Sequence, residues 1–298
     1  MAAQRLPLLP EVERLSGSVI RLLAGNPGKY TLQGTNTYLV GRGARRLLID
    51  TGEGRPSWSA ALKALLAAEK ATVEKALLTH WHRDHVGGVG DLLKMCPEVQ
   101  VYKHDGNEGQ LAIEDGQVFK VQGATLRAVH TPGHTQDHMA FVLEEENALF
   151  TGDNVLGHGT AVFEDLVVYI STLERMRKLG VGRGYPGHGA VIEDCGAKIT
   201  EYIDHRRQRE EEVFQVLKAG GLDSNKAEGT AATTQGKKPR AMAPIDLVEV
   251  IYPDLAEELR LSASHGVIQV LLKLEREGKV MQERESGKWM VGGGKPAL

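Results

Sequence analysis

With 298 residues, 41% of them apolar, the chain can bury a full core, as one large domain or as one domain with a small appendage. A formal net charge of −3 argues against a global positive field that would gather nucleic acid. The two cysteines, Cys96 and Cys195, lie far apart without CxxC spacing, which argues against a disulfide framework, and no apolar run nears the roughly 20 residues of a bilayer crossing. The N-terminal "MAAQRLPLLPEVERL" is a poor secretory signal, so a soluble, cytoplasmic protein without a membrane partner is expected.

In chain order, "TNTYLVGRGARRLLIDTG" predicts a hairpin turning at Gly41–Gly43 and ending at Asp50. Ser57 is placed to cap a helix in which Trp58, Ala61, Leu62, Leu65 and Leu66 follow the 3.6-residue period. "VEKALLTH" reads as a short buried strand. "VQVYK", "GATLRAVH", "HMAFVLEEENALFTGD" (turning at Glu145–Asn147) and "GRGYPGHG" are further strands. "STLERMRKLG" predicts a helix starting at Ser171, with Glu174 at capping-box spacing, and stopping at Gly180. Interspersed hairpins and helices predict mixed sheets covered by helices rather than a simple βαβ alternation.

A long charged helix, "AKITEYIDHRRQREEEVFQVLKAGG", is followed by "LDSNKAEGTAATTQGKKPRAMA", which has no apolar period and reads as a mobile linker. Beyond it "PIDLVEVIY", "LAEELRL" and "SHGVIQVLLKLEREGKV" predict three helices, and "KVMQ…GKWMV" a small hairpin. Three helices and a wing resemble a winged-helix module. The mixed charges of Gln269, Lys273, Glu275, Arg276 and Glu277 favour a packing or dimerising role over DNA binding, and a homodimer is one expectation. The expected domains are 1–210, a connecting segment 211–243, and 244–298.

The chemistry concentrates in "THWHRDHVGG". His80 and His82, two apart on a loop, can aim two imidazoles at one point, while Asp84 and His85 can face a second. Downstream, "HTPGHTQDH" supplies His134, "FTGDNVLG" supplies Asp153 and "GYPGHG" supplies His188, each on a loop after a strand. These seven ligands suffice for two divalent ions sharing Asp153, an arrangement that makes water nucleophilic at neutral pH. Zn²⁺ is the expected metal, with Mn²⁺ or Fe²⁺ compatible with the same donors.

"HWHRDH", "PGHT", "GD" and "GHG" together resemble the metallo-β-lactamase superfamily, from about Val19 to Arg209. The resemblance implies an αββα sandwich with the metal site at the sheet edges. It implies that His80, His82 and His134 hold one ion, that Asp84, His85 and His188 hold the other, with Asp153 bridging, and that Asp84 manages protons. Asp153 stands where many secreted zinc β-lactamases carry cysteine, which argues against antibiotic hydrolysis. Over nearly its whole length the chain is similar to animal lactamase-like endoribonucleases. It is also similar to fungal thioesterases, including atrochrysone carboxyl carrier-protein thioesterases, that release aromatic polyketides from the acyl carrier domain of a non-reducing polyketide synthase.

"FTGDNVLGHGTAVFEDL" and "GRGYPGHGAVI" look most like the fungal set, and "YKHDGNEGQLAIEDGQVF" is shorter and more acidic than the corresponding nuclease segment. Thioester hydrolysis with a carrier-protein partner is therefore the leading expectation. Cleavage of single-stranded RNA is the alternative, and a degenerate, non-catalytic binding protein a third. His158 is read as lining the substrate mouth or capping a loop; Phe163, Glu164 and Asp165 as pocket wall or support for the ligands. Thr35 and Asn36 are read as loop residues that either face the site or, the favoured reading, serve a turn, and His104, His130, His138, His205 and His265 as structural.

Overall fold

The computed structural model describes residues 6–106, 109–220 and 241–292. The chain divides into two compact units: Met1–Glu164 with Val168–Tyr202, and Asp165–Val167 with Ile203–Leu298. The first unit holds two sheets. One is ordered β1 (Val12–Arg14), β2 (Val19–Leu23), β3 (Asn36–Val40), β4 (Arg45–Ile49), β5 (Thr72–Leu77), β6 (Gln100–Lys103), β7 (Leu111–Ala112). It is antiparallel up to β4 and parallel from β4 onwards. The other contains β8 (Val118–Val121), β9 (Ala124–His130), β10 (Met139–Leu143), β11 (Ala148–Gly152) and β12 (Arg183–Pro186), in the spatial order β12-β11-β10-β9-β8.

The alternation of side chains along a strand sends alternate residues to two cores. Tyr38, Val40, Leu47 and Ile49 meet Leu126, Phe141 and Phe150 between the sheets. Leu39 and Leu48 point the other way, against helices α1 (Pro56–Glu69) and, past α2 (Arg83–Val86), α3 (Val89–Met95). Trp58 of α1 is fully buried there and donates to Thr37 Oγ1 at 3.0 Å. Helix α4 (Leu166–Arg177) buries Tyr169, Leu173 and Met176, and the first turns of α5 (Cys195–Lys218) bury Cys195, Ile199 and Tyr202. The expected αββα sandwich is the fold of this unit.

The second unit contains the remainder of α5, helices α6 (Pro244–Ile251) and α7 (Glu257–Arg276), and the hairpin β13 (Val280–Gln282)–β14 (Trp289–Val291). Arg209 of α5 stacks over Tyr252 at 4.3 Å, and Lys273 of α7 pairs with Glu210 at 2.8 Å. None of the described helices is long and apolar enough to cross a membrane.

Three local expectations are corrected. Helix α1 starts at Pro56, whose ring is preset for a first helical turn, so Ser57 lies inside the helix and Arg55 occupies the cap position. Helix α4 starts at Leu166, one turn and more before Ser171, with Asp165 accepting the Val167 amide at 2.8 Å. "LAEELRL" and "SHGVIQVLLKLEREGKV" merge into the single helix α7, so the described residues from 244 onwards form two helices rather than three. Of the stretch expected to be a linker, 222–243, residues 222–240 lie outside the described residues, whereas Met242 is buried and its amide donates to Trp289 O at 2.8 Å.

Candidate active site

All seven expected ligands sit just beyond C-terminal strand ends. Strand β5 leads into His80 and His82, and α2 begins at Arg83, placing Asp84 and His85 in its single turn. His134 follows β9, Asp153 follows β11 and His188 follows β12. The two sheets are stitched together here: Asn36 Nδ2 donates to Pro186 O and Gly189 O, both at 2.9 Å, and the Tyr38 hydroxyl donates to Pro186 O at 2.6 Å. Gly187 allows the convergence, since a Cβ there would come within 2.2 Å of Asp153 Oδ1.

The seven side chains meet in overlapping groups: His80, His82 and His134; His80, His85 and Asp153; and Asp84, His85 and His188. His82 Nδ1 lies 3.0 Å from both His80 Nε2 and His134 Nε2. Asp153 Oδ2 is 3.2 Å from His188 Nε2 and 3.7 Å from His134 Nε2, while its Oδ1 is 3.4 Å from His85 Nε2. Asp84 Oδ2 is 3.2 Å from His188 Nε2 and 3.4 Å from His85 Nε2.

The outer hydrogen bonds decide where the ring protons sit. His134 Nδ1 donates to Val162 O at 2.9 Å, so its Nε2 carries an inward lone pair. His85 Nδ1 donates to Asp50 Oδ2 at 2.7 Å, with the same result. Thr79 Oγ1 donates to Asp50 Oδ2 at 2.9 Å and therefore accepts from His80 Nδ1 at 2.9 Å, which leaves His80 Nε2 bare. The bare Nε2 atoms of His80 and His134 each lie 3.0 Å from His82 Nδ1, and buried His85 Nε2 and Asp153 Oδ1 have no hydrogen-bond partner among the described residues. That donor set fits divalent cations, with the outer carboxylate and hydroxyl orienting the imidazoles.

Electrostatics agree with that fit. Burial pushes His80 and His82 down, so both rings are neutral at pH 7. Burial opposes charge on Asp84 and Asp153 too, but neighbouring histidines outweigh it and hold both carboxyls below their usual range. Without a metal, the same contacts work in reverse on the partners. Despite burial, Asp153 raises His85, and pushes His188 up to about 9.

A cavity of about 470 Å³ opens onto this cluster. His82, Asp84, His134, Asp153 and His188 line one part of it, and Leu32, Leu156, Ala161 and Val162 give it apolar walls. Lys29 is the one lysine or arginine among the described residues lining it. His158 lines the cavity. Phe163 does not: its buried ring stacks on Tyr169, with centroids 5.1 Å apart and planes 10° from parallel. Aromatic packing takes it into the protein rather than to the pocket wall.

Four contributors were missed by sequence reasoning or read differently. Asp50, buried and in the left-handed region at φ 59°, orients His80 and His85; an acid ending an apolar strand in "LLIDTG" was the only sign of it. His138, read as structural, is buried beside the site and its Nε2 accepts the Asp153 amide at 3.0 Å. Asn154 Oδ1 accepts the His134 amide at 3.2 Å. Thr35, for which the sequence favours a turn role over one facing the site, is fully buried, with its hydroxyl 3.4 Å from Asp84 Oδ2.

Comparison with known proteins agrees with this fold. A profile of the metallo-beta-lactamase superfamily matches residues 30–108 and 105–188, and one of the beta-lactamase associated winged helix domain matches 244–289. Lactamase-like protein adaB of Aspergillus niger is 51% identical over 94% of this chain and 87% of its own length. An atrochrysone carboxyl ACP thioesterase of Aspergillus chevalieri is 46% identical over 97% of this chain and 92% of its own. Among solved structures, a beta-lactamase domain protein of Burkholderia ambifaria superposes with a TM-score of 0.78 at 17% identity, over 97% of this chain and 96% of its own. A metallo-beta-lactamase family protein of Thermus thermophilus gives 0.71 at 23% identity, over 93% and 100%.

Proposed function

Because the chain belongs to the metallo-beta-lactamase superfamily and is a hydrolase of that fold, we propose that it is a thioesterase. Its substrate would be an aromatic polyketide acyl group carried on the phosphopantetheine of an acyl carrier protein. The observation that carries this reading is the cavity itself: apolar walls and a single lysine lead to a cluster of histidines and carboxylates. Such walls suit an acyl chain, whereas an RNA strand calls for several cationic phosphate contacts. Two close relatives of the chain bear the name atrochrysone carboxyl ACP thioesterase, which points the same way.

In this reading His80, His82 and His134 would hold one divalent ion, Zn²⁺ by donor type, and Asp84, His85 and His188 a second, with Asp153 between them. When bound, ions of this kind polarise a carbonyl oxygen and make water nucleophilic at neutral pH. Asp84 lies where the cluster meets the cavity, its side chain a quarter exposed, and is the carboxylate positioned to take the proton of the attacking water. Leu32, Leu156 and Val162 hold the acyl chain and keep bulk water from the carbonyl. The leaving group is a thiolate, which needs little protonation, so no dedicated acid is required on that side. The names of the carrier-protein thioesterase relatives support an acyl carrier protein as the partner.

The test is a parallel turnover assay of metal-loaded protein on an aromatic acyl carrier-protein thioester and on single-stranded RNA, with Asp84→Ala as control. Release of the free acid by the parent, loss of release in Asp84→Ala, and intact RNA are the expected results. RNA cleavage without thioester turnover would replace this reading with the endoribonuclease one.

A further inference from the structure

Thr35 sits one residue before β3 and is fully buried. Its amide donates to Asn26 Oδ1 at 2.9 Å. That bond fixes which way the Asn26 amide faces, so the group 3.0 Å from Thr35 Oγ1 is the donor Nδ2. The Thr35 hydroxyl therefore accepts from Asn26 and has one proton left to give. A hydroxyl with no exposure cannot give it to bulk water, and a buried donor left unused is costly. Among the described residues the remaining acceptor is Asp84 Oδ2, 3.4 Å away. That separation is at the long end of hydrogen bonding, and contacts of catalytic groups commonly tighten when substrate binds.

The same oxygen faces His188 Nε2 at 3.2 Å and His85 Nε2 at 3.4 Å, whereas the described residues offer Oδ1 no hydrogen bond. We propose that Thr35 is a positioning residue that divides the work of the Asp84 carboxylate: its hydroxyl pins Oδ2 on the His85–His188 side of the cluster and leaves Oδ1 to handle protons at the cavity. The proposal rests on the reading of Asp84 as both ligand and proton carrier. Asn26 extends the connection outwards. Its carbonyl accepts from Thr31 Oγ1 at 2.6 Å, and Lys29, Tyr30 and Leu32, from the same segment, line the cavity. Thr35 thus ties the Asp84 carboxylate to the segment that substrate meets first.

Thr35→Val keeps the shape and removes the hydroxyl, and Thr35→Ser keeps the hydroxyl. Both are compared with the parent by zinc titration against a chelator, by the visible spectrum of the cobalt(II)-loaded protein, and by thioester turnover. Thr35→Val should bind one of two ions about 10- to 100-fold more weakly, with a changed cobalt spectrum. Its kcat should fall while KM stays within about twofold, because the lost contact acts on the reacting end of the site. Thr35→Ser should recover all three readouts. If Thr35→Val does not fold, Thr35→Ala against Thr35→Ser asks the same question of the hydroxyl.

Unchanged metal affinity and kcat in Thr35→Val would overturn the proposal, as would a Thr35→Ser protein as impaired as Thr35→Val. A parent that binds metal but hydrolyses no thioester would sink the thioesterase reading alone, and the titration would still decide the role of Thr35. A parent that takes up no metal would sink both.

Discussion

At the floor of the cavity His80 and His85 are fully buried, and each has its outer ring nitrogen committed to Thr79 or Asp50. At the rim, Tyr30 and Val162 are 61% and 58% exposed, and Lys29 stands in solvent beside them. The floor is held by hydrogen bonds between residues far apart in the chain, so a change at one ligand is felt by its neighbours. The rim presents side chains from short loop segments, so single replacements there should remain local. The difference separates two properties of the enzyme: the floor sets which reaction is run, and the rim sets which substrate enters.

Removing the metal should have the largest effect. After chelation and dialysis, turnover should drop to background and return when zinc is added back, with far-ultraviolet circular dichroism unchanged throughout. Turnover that persists in protein shown by elemental analysis to be metal-free would end the metal-dependent reading of the floor.

Asp50→Asn should follow. It removes the charge that holds His85 and Thr79 while keeping a residue that tolerates the left-handed backbone of that position. Metal affinity should fall about 10- to 100-fold. Affinity equal to the parent's would mean that the ligands orient themselves without Asp50.

At the rim, Val162→Ala removes two methyl groups from the cavity wall and should raise KM about tenfold at most for a long acyl substrate. The metal content and kcat should stay put. A loss of metal in this variant would erase the division between floor and rim.

The smallest effect belongs to an exposed support below the loop that carries His134. Asp115 accepts the His130 amide at 2.8 Å and pairs with Arg175 at 2.7 Å. Burial pushes its carboxyl up, yet the His130 and Arg175 contacts outweigh it and hold the group below its usual range. A depressed carboxyl stabilises the folded protein above its unfolded pKa of about 4 and loses that contribution as pH falls through the lower folded value. Asp115→Asn should therefore melt slightly below the parent at neutral pH, and the gap should close towards pH 3. A gap that widens on acidification would reverse the assignment.

Much of the sandwich could be read from the chain because its strands alternate cleanly: Leu39 between Tyr38 and Val40, and Leu48 between Leu47 and Ile49, point to opposite cores. Helix boundaries were less legible. Nothing in "STLERMRKLG" reveals that Asp165 caps the helix from outside it, and the interior of α7 has no residue that forces a break. At the site, the histidines announced themselves by density, with three of them and an acid within six positions. Asp50, His138, Asn154 and Thr35 did not, because one polar residue carries no period. Their meaning comes from partners 35, 15, 20 and 49 positions away.

The sequence by itself determined the candidate donor set, since imidazole and carboxylate types and their loop positions are local properties of the chain. It also determined the alternation that builds two packed faces. Only the tertiary structure decided which ring nitrogens face inwards, which Asp84 oxygen meets Thr35, and that Phe163 turns away from the pocket. Those outcomes depend on hydrogen bonds and contacts between distant segments, and a proton or a rotamer is settled only when the partner is in place.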